Sequence, residues 1–110
     1  MPTDAIPALI EQIDELLADP PTEEPATLAR LERTLTDGYA YALALEAERW
    51  RLERRMSDLA GELHEGNHEL KAKELACVSS RLASNASLLA SLRGTLSQLR
   101  VRATEVRSLG

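Results

Sequence analysis

The residues with the most obvious chemistry in this 110-residue chain are two histidines beside a glutamate, in the run His-Glu-Gly-Asn-His at residues 64–68. The spacing matches the H-E-x-x-H pattern of zinc peptidases, in which one continuous helix places both imidazoles on one face and the glutamate beside a metal-bound water. Here Gly66 and Asn67 favour a chain reversal, which would separate His64 from His68. We therefore expect no enzymatic activity, no cofactor and no catalytic residue. Zinc binding at the reversal is a remote alternative.

A second group with binding chemistry is a run of four arginines, Arg49, Arg51, Arg54 and Arg55. Such a run could bind phosphate or nucleic acid. Glutamates at positions 48 and 53 are interleaved with it, at spacings typical of ion pairs on a helix surface. The net charge of −5 also argues against nucleic acid as the main partner. A nucleic-acid-binding or phosphate-binding regulator, which would use this run or the arginines near the end of the chain, is therefore the alternative function and not the leading one.

Composition indicates the fold class and suggests a location. Valine, isoleucine and aromatic residues, which favour strands, are scarce, so the chain is predicted to be all-α. Cys77 has no second cysteine to pair with, which fits a reducing compartment, and we predict a cytoplasmic protein. The uninterrupted apolar runs are far shorter than the about 20 residues that span a membrane, so no membrane partner is expected.

Two apolar seven-residue repeats must position all of these residues. Before the turn the repeat comprises Leu28, Leu31, Leu35, Gly38, Ala42, Leu45, Arg49, Leu52, Met56, Leu59 and Leu63, and after it Leu75, Val78, Leu82, Asn85, Leu89, Leu92, Leu96, Leu99, Ala103 and Val106. These repeats predict two long helices folded back on each other as an antiparallel coiled-coil hairpin. When the repeats are laid side by side, the numbers of facing residues, such as Leu45 and Leu89, average to 67 in every pair. The agreement supports a reversal at Asn67.

We predict that residues 1–110 form a single all-helical domain. A short amphipathic helix occupies residues 5–19, with Asp4 as its N-cap, and a proline-rich linker occupies residues 20–25. The hairpin helices occupy residues 26–65 and 68–108. The acidic face of the short helix would complement three arginines near the end of the chain, Arg100, Arg102 and Arg107. The sequence leaves open whether the short helix packs on its own hairpin or on a partner.

The same register places the one polar residue of each repeat opposite the other, so that Arg49 faces Asn85. A buried polar layer of this kind can fix register and the choice of partner, at a cost in stability. The alternative is that Arg49 extends outwards along its aliphatic stem. Gly38 falls opposite Leu96, where it either permits close approach of the helices or marks a local kink.

A second apolar surface lies outside the predicted seam. Tyr39, Leu43 and Trp50 recur at helical spacing on the first hairpin helix, and Leu88 lies near their level on the second. Ordinary packing inside one chain is one explanation. The one we favour is that these four residues form an interface between two copies, which would build a helical bundle from a homodimer; another helical protein is the other possible partner. The leading function is thus a non-enzymatic scaffold or adaptor that mediates self-association and protein–protein interaction.

Overall fold

The computed structural model describes residues 5–20, 24–63 and 65–109. Within these ranges the chain forms three helices and no strand: α1 (Ala5–Ala18), α2 (Pro25–Glu62) and α3 (His68–Leu109). The two long helices pack against each other, which confirms the predicted all-α helical hairpin. Asp4, linker residues 21–23 and His64 lie outside the described residues. None of the described helices has the length and apolar character needed to cross a membrane.

The reversal between the long helices lies where the repeats predict it, although α2 ends at Glu62 and not at residue 65. The helix stops early because the Glu65 amide folds back to donate to the Glu62 carbonyl, at 2.9 Å. Gly66 and Asn67 then take positive φ angles of 88° and 53°, a left-handed conformation that glycine and asparagine tolerate best. The Asn67 carbonyl accepts the first backbone hydrogen bond of α3, from Lys71 at 3.0 Å. The side chain of Lys71 donates to the same Glu62 carbonyl at 2.9 Å, which adds a second hydrogen bond at the end of α2.

The chain divides into two compact units, and each is described by itself. We call the first, made of residues 5–20, 24–44 and 90–109, the three-helix unit, because it holds α1 and the adjoining parts of α2 and α3. We call the second, made of residues 45–63 and 65–89, the two-helix unit, because it holds the remaining parts of the two long helices and the turn.

In the three-helix unit, α1 packs its apolar face on its own chain. Its buried residues are Ile6, Leu9, Ile13 and Leu16. Leu16 lines a small cleft together with Leu31 of α2 and Val106 of α3. This packing answers the question that the sequence left open, since the short helix folds onto its own hairpin.

Arginines of α3 fix the three-helix unit in a way that differs from the prediction. Arg102 donates to the backbone carbonyl of Asp19, just beyond the end of α1, where a cation also complements the helix dipole. Arg107 forms an ion pair with Glu32 of α2 at 2.9 Å, and so does not pair with the acidic face of α1. Arg100 is exposed. The chain-end arginines therefore hold both α1 and α2.

Close approach of the long helices explains Gly38. A Cβ atom added there would overlap the buried side chain of Leu96, the residue that the register places opposite it. A Cβ atom added at Gly61 or at Gly94 would have no neighbouring atom within 4 Å. Of the two explanations for Gly38, close packing therefore accounts for the residue.

The core of the two-helix unit is a seam, to which each helix contributes a single stripe of apolar side chains. Leu52, Leu59 and Val78 are buried at its centre, and three apolar side chains pack against them, namely Met56, Leu75 and Leu82. Leu45 and Leu89 are also buried, as their facing positions in the two repeats require. The other positions of both helices in this unit are mostly exposed.

Candidate functional site

The histidine motif does not lie on a continuous helix. Glu65, Gly66 and Asn67 are outside both α2 and α3, and Gly66 and Asn67 have left-handed backbone angles. His68 is the exposed first residue of α3. No cluster of three or more metal-binding side chains occurs in the part of the chain that the structure describes. The turn thus interrupts the helical spacing on which a zinc-peptidase site depends.

Two of the four arginines in the basic run are held in ion pairs. The Arg49 guanidinium contacts Glu53 at 2.8 Å, one helical turn away. Arg55 reaches across to Glu74 of α3 at 2.8 Å, and its hydrogen bond to that carboxylate raises the pKa of Arg55 above its ordinary value. Arg51 and Arg54 are exposed. The acidic partners offset part of the positive charge that a phosphate ligand would need.

The two residues of the candidate polar layer have different surroundings. Asn85 is buried, and its amide nitrogen donates to the carbonyl of Leu45 at 2.9 Å. Its Oδ1 atom is buried without a hydrogen-bond partner. Arg49 is exposed and bonds to Glu53. A guanidinium is costly to bury, and its long stem lets the charge stay in water while Asn85 alone occupies the seam.

Ion pairs between the long helices lie along one flank of the two-helix unit. Arg81 lies 3.7 Å from Glu48, and Arg55 lies 2.8 Å from Glu74. A helix turns by about 100° per residue, so Arg55 lies on the same side of α2 as Glu48, and Glu74 on the same side of α3 as Arg81. We call the flank that carries these four residues the ion-pair flank.

Trp50 lies on the opposite flank, which we call the aromatic flank. It follows Glu48 by two residues, or about 200° around α2. By the same measure Ala83 lies about 200° around α3 from Arg81, and Ser79 and Ala86 lie on the same side as Ala83. All three small residues are exposed. Glu46 and Glu53 of α2, four residues before and three residues after Trp50, share its side of the helix. The aromatic flank therefore combines one large side chain and two carboxylates on α2 with three small side chains on α3.

Leu88 does not share the flank of Trp50. It follows Arg81 by seven residues, so it lies on the ion-pair flank, and it is half-buried there. The four residues of the candidate interface thus do not form one patch, because the hairpin seam separates Leu88 from Trp50. The heptad repeat itself predicts that the two residues lie on different flanks. The residue that precedes a seam residue and the residue that follows it point to opposite flanks of a hairpin.

The other candidate interface residues are exposed along α2. In the two-helix unit, 68% of Trp50 is exposed, and in the three-helix unit 67% of Leu43 and 44% of Tyr39. Within the three-helix unit, the spacing of four residues places Tyr39 and Leu43 on one face of α2. Ala83 and Ser79 are small neighbours that the sequence argument did not include. The charge-free run at residues 82–92 was the signal for this region.

Comparison with protein-family models, with curated proteins and with solved structures gives no match for this sequence.

Proposed function

We propose that this protein is a non-enzymatic helical hairpin that associates with a second copy of itself through exposed apolar residues of α2, and that it serves as a scaffold or adaptor. The observation that carries the proposal is the exposure of Trp50 and Leu43, each about two-thirds uncovered in the single chain. We place its work in the cytoplasm, where the exposed thiol of Cys77 would stay reduced.

The energetic argument is that these side chains are costly to leave in water. Covering a large apolar side chain contributes about 1.5–3 kcal/mol. Trp and Tyr are also enriched at protein interfaces, because their rings supply a large contact area and retain a polar group at the edge. An aromatic residue and a leucine on the same face of one helix are therefore better explained by a covered face than by a solvated one.

The polar surroundings of Trp50 fit the edge of such an interface. The Arg49–Glu53 ion pair lies one residue before and three residues after it on α2. Interfaces typically have an apolar centre and a polar, solvent-accessible rim. An ion pair that is already satisfied within one chain can form such a rim without leaving a charge unpaired when the apolar centre is covered.

The test is the mass in solution, measured by light scattering across a range of concentrations. We expect twice the chain mass of 12.1 kDa for the unchanged protein. Leu43→Glu should shift the mass to that of one chain, because a carboxylate would have to be desolvated at the interface. The matched control is Leu70→Glu, since Leu70 is 66% exposed but lies on α3 near the turn. The control variant should remain a dimer.

Fluorescence provides an independent measurement, because Trp50 is the only tryptophan in the chain. Its emission should move to shorter wavelength as dimers form on increasing concentration, and Leu43→Glu should abolish the change. A single-chain mass at every concentration, with tryptophan emission typical of water, would contradict self-association.

A further inference from the structure

We infer that Asn85 and the outward-turned Arg49 together fix the register in which α2 and α3 pair along the two-helix unit. Asn85 is buried in the seam, whereas Arg49, at the facing position of the other repeat, is exposed. This device belongs to the single chain, so it does not depend on the association of two copies.

The leucine repeats alone do not define one register. Leu45 and Leu89 are buried at facing positions. A slide of α3 by seven residues would place Leu45 opposite another leucine, either Leu82 or Leu96, and would move the reversal by only about one helical turn along the chain. The apolar contacts are nearly the same in each of these registers, so other residues must distinguish them.

The turn distinguishes the registers at one end of the pair. The left-handed angles of Gly66 and Asn67 favour the reversal that the structure shows. Asn85 lies 18 residues beyond Asn67, or about 27 Å along α3 at 1.5 Å per residue. A polar layer at that distance supplies a second constraint, which acts far from the turn.

Asn85 reaches across the seam because Arg49 leaves it. The amide nitrogen of Asn85 donates to the Leu45 carbonyl at 2.9 Å. A helix carbonyl points toward the next turn, so this one lies between Leu45 and Arg49. An apolar side chain at position 49 would pack over the carbonyl, whereas the Arg49 guanidinium bonds to Glu53 at 2.8 Å outside the seam. The carboxamide of Asn85 therefore fills the space that the arginine does not use.

A slide by seven residues would separate the two polar positions into different layers. Two apolar residues would then face them, Met56 with Leu92 for a slide in one direction and Ala42 with Val78 for a slide in the other. Met56 packs in the seam, so it would cover the backbone carbonyl nearest to Asn85. An outward Arg49 would leave the apolar residue opposite it without a facing side chain. The observed register thus has one imperfect layer where each slid register has two.

The unpaired oxygen of Asn85 distinguishes its effect from that of the leucines. Asn85 is only 4% exposed, and its Oδ1 atom has no hydrogen-bond partner. A leucine at this position would bury more apolar surface and leave no polar atom unsatisfied. A single asparagine in a leucine seam lowers stability but specifies register, because its hydrogen bond is available in only one pairing.

Two cysteine pairs, in a Cys77→Ser background, measure the register at equilibrium. Leu52→Cys with Leu82→Cys joins positions that face each other in the structure, and Leu52→Cys with Leu89→Cys joins positions that would face each other after a slide. In a glutathione redox buffer, the effective concentration of the two thiols within one chain reports how often each register is populated. Asn85→Leu should raise the ratio of slid to observed register about tenfold or more, because the lost hydrogen bond no longer favours the observed one.

Three further variants test the roles of the two residues separately. Arg49→Leu should also raise the ratio, because an inward leucine would take the space of the Asn85 amide. The matched control is Met56→Leu, which replaces one seam side chain by another of similar size and keeps the polar layer. Glu53→Gln removes the ion pair and keeps the arginine. Both Met56→Leu and Glu53→Gln should leave the ratio within about twofold of the unchanged protein.

The outcomes decide between a register determinant and a residue that affects stability alone. If Asn85→Leu changes both effective concentrations by the same factor, or if Met56→Leu raises the ratio as much, the inference is wrong. A rise with Asn85→Leu but not with Arg49→Leu overturns the part assigned to Arg49. Circular dichroism verifies the helix content, and Asn85→Ala replaces Asn85→Leu if the latter loses helix. These ratios are measured within one chain, so a monomeric protein would contradict the proposed self-association and leave this test unaffected.

Discussion

The three-helix unit and the two-helix unit use the same pair of long helices and bury them to different extents. In the three-helix unit α1 covers one side, and even the polar residue Thr34, which lies beside the seam, is buried. In the two-helix unit the seam alone is buried, and Trp50 is left mostly in water. Two helices hide only the stripe that each turns toward the other, so hiding more requires a further element.

The contacts that stabilise the two units beyond their apolar cores also differ. The three-helix unit uses a backbone contact from Arg102 and a glycine at the closest approach of the helices. The two-helix unit uses ion pairs along one flank, with Arg55 and Arg81 reaching to the opposite helix. Exposed ion pairs contribute at most about 1 kcal/mol each, so they add less than a covering helix does. The single chain should therefore be least stable around the turn.

The largest expected effect comes from matched cavities in the two units. Leu99 and Leu59 are both fully buried, the first in the three-helix unit and the second in the two-helix unit. Leu99→Ala should cost about 3–5 kcal/mol and Leu59→Ala about 2–3 kcal/mol, because a cavity beside a single seam can relax or admit water more readily. Chemical denaturation measures both values. Equal losses would show that the two cores are packed alike.

A glycine pair tests the closeness of the helices. Gly38→Ala should destabilise the three-helix unit by about 1–3 kcal/mol, because the new methyl group must displace the buried Leu96 side chain. Gly61→Ala, with open space around it in the two-helix unit, should stabilise the chain by up to about 1 kcal/mol through helix propensity. Thermal melts of both variants give the sign. A stabilising Gly38→Ala would mean that the helices can separate at no cost.

The smallest effect concerns the buried polar residue of each unit. Asn85 has an unpaired Oδ1 atom, whereas the Thr34 hydroxyl donates to the Arg30 carbonyl at 2.9 Å. Asn85→Leu should stabilise the chain by about 1 kcal/mol, since it removes an unsatisfied group and adds apolar contact in the seam. Thr34→Val should change stability by less. A lower melting temperature for Asn85→Leu would mean that its bond to the Leu45 carbonyl outweighs the cost.

The sequence was sufficient for the hairpin because its two determinants are local. The apolar repeats select the faces, and Gly66 with Asn67 can adopt the left-handed angles that a tight reversal needs. The position of Arg49 was harder to predict, because a repeat position next to water can be filled by a long side chain that leaves the seam. Glu53, four residues on, was the signal that favoured the outward arrangement.

The remaining features depend on contacts that no local pattern specifies. The apolar face of α1 needed a partner, but its spacing could not say which surface of which chain would cover it. The proposed function depends on a second molecule, which neither the repeats nor the fold of one chain contains.

The tight reversal at Gly66 and Asn67 also has a consequence for how the chain reaches this structure. Contacts next to the turn, such as Lys71 with Glu62, join residues nine positions apart, whereas Arg102 and Asp19 are 83 positions apart. Short loops close at a lower entropic cost than long ones. We therefore expect the long helices to pair first next to the turn and then progressively away from it, with α1 packing last. The part of the chain that is least buried in the finished monomer would then be the part that starts its folding.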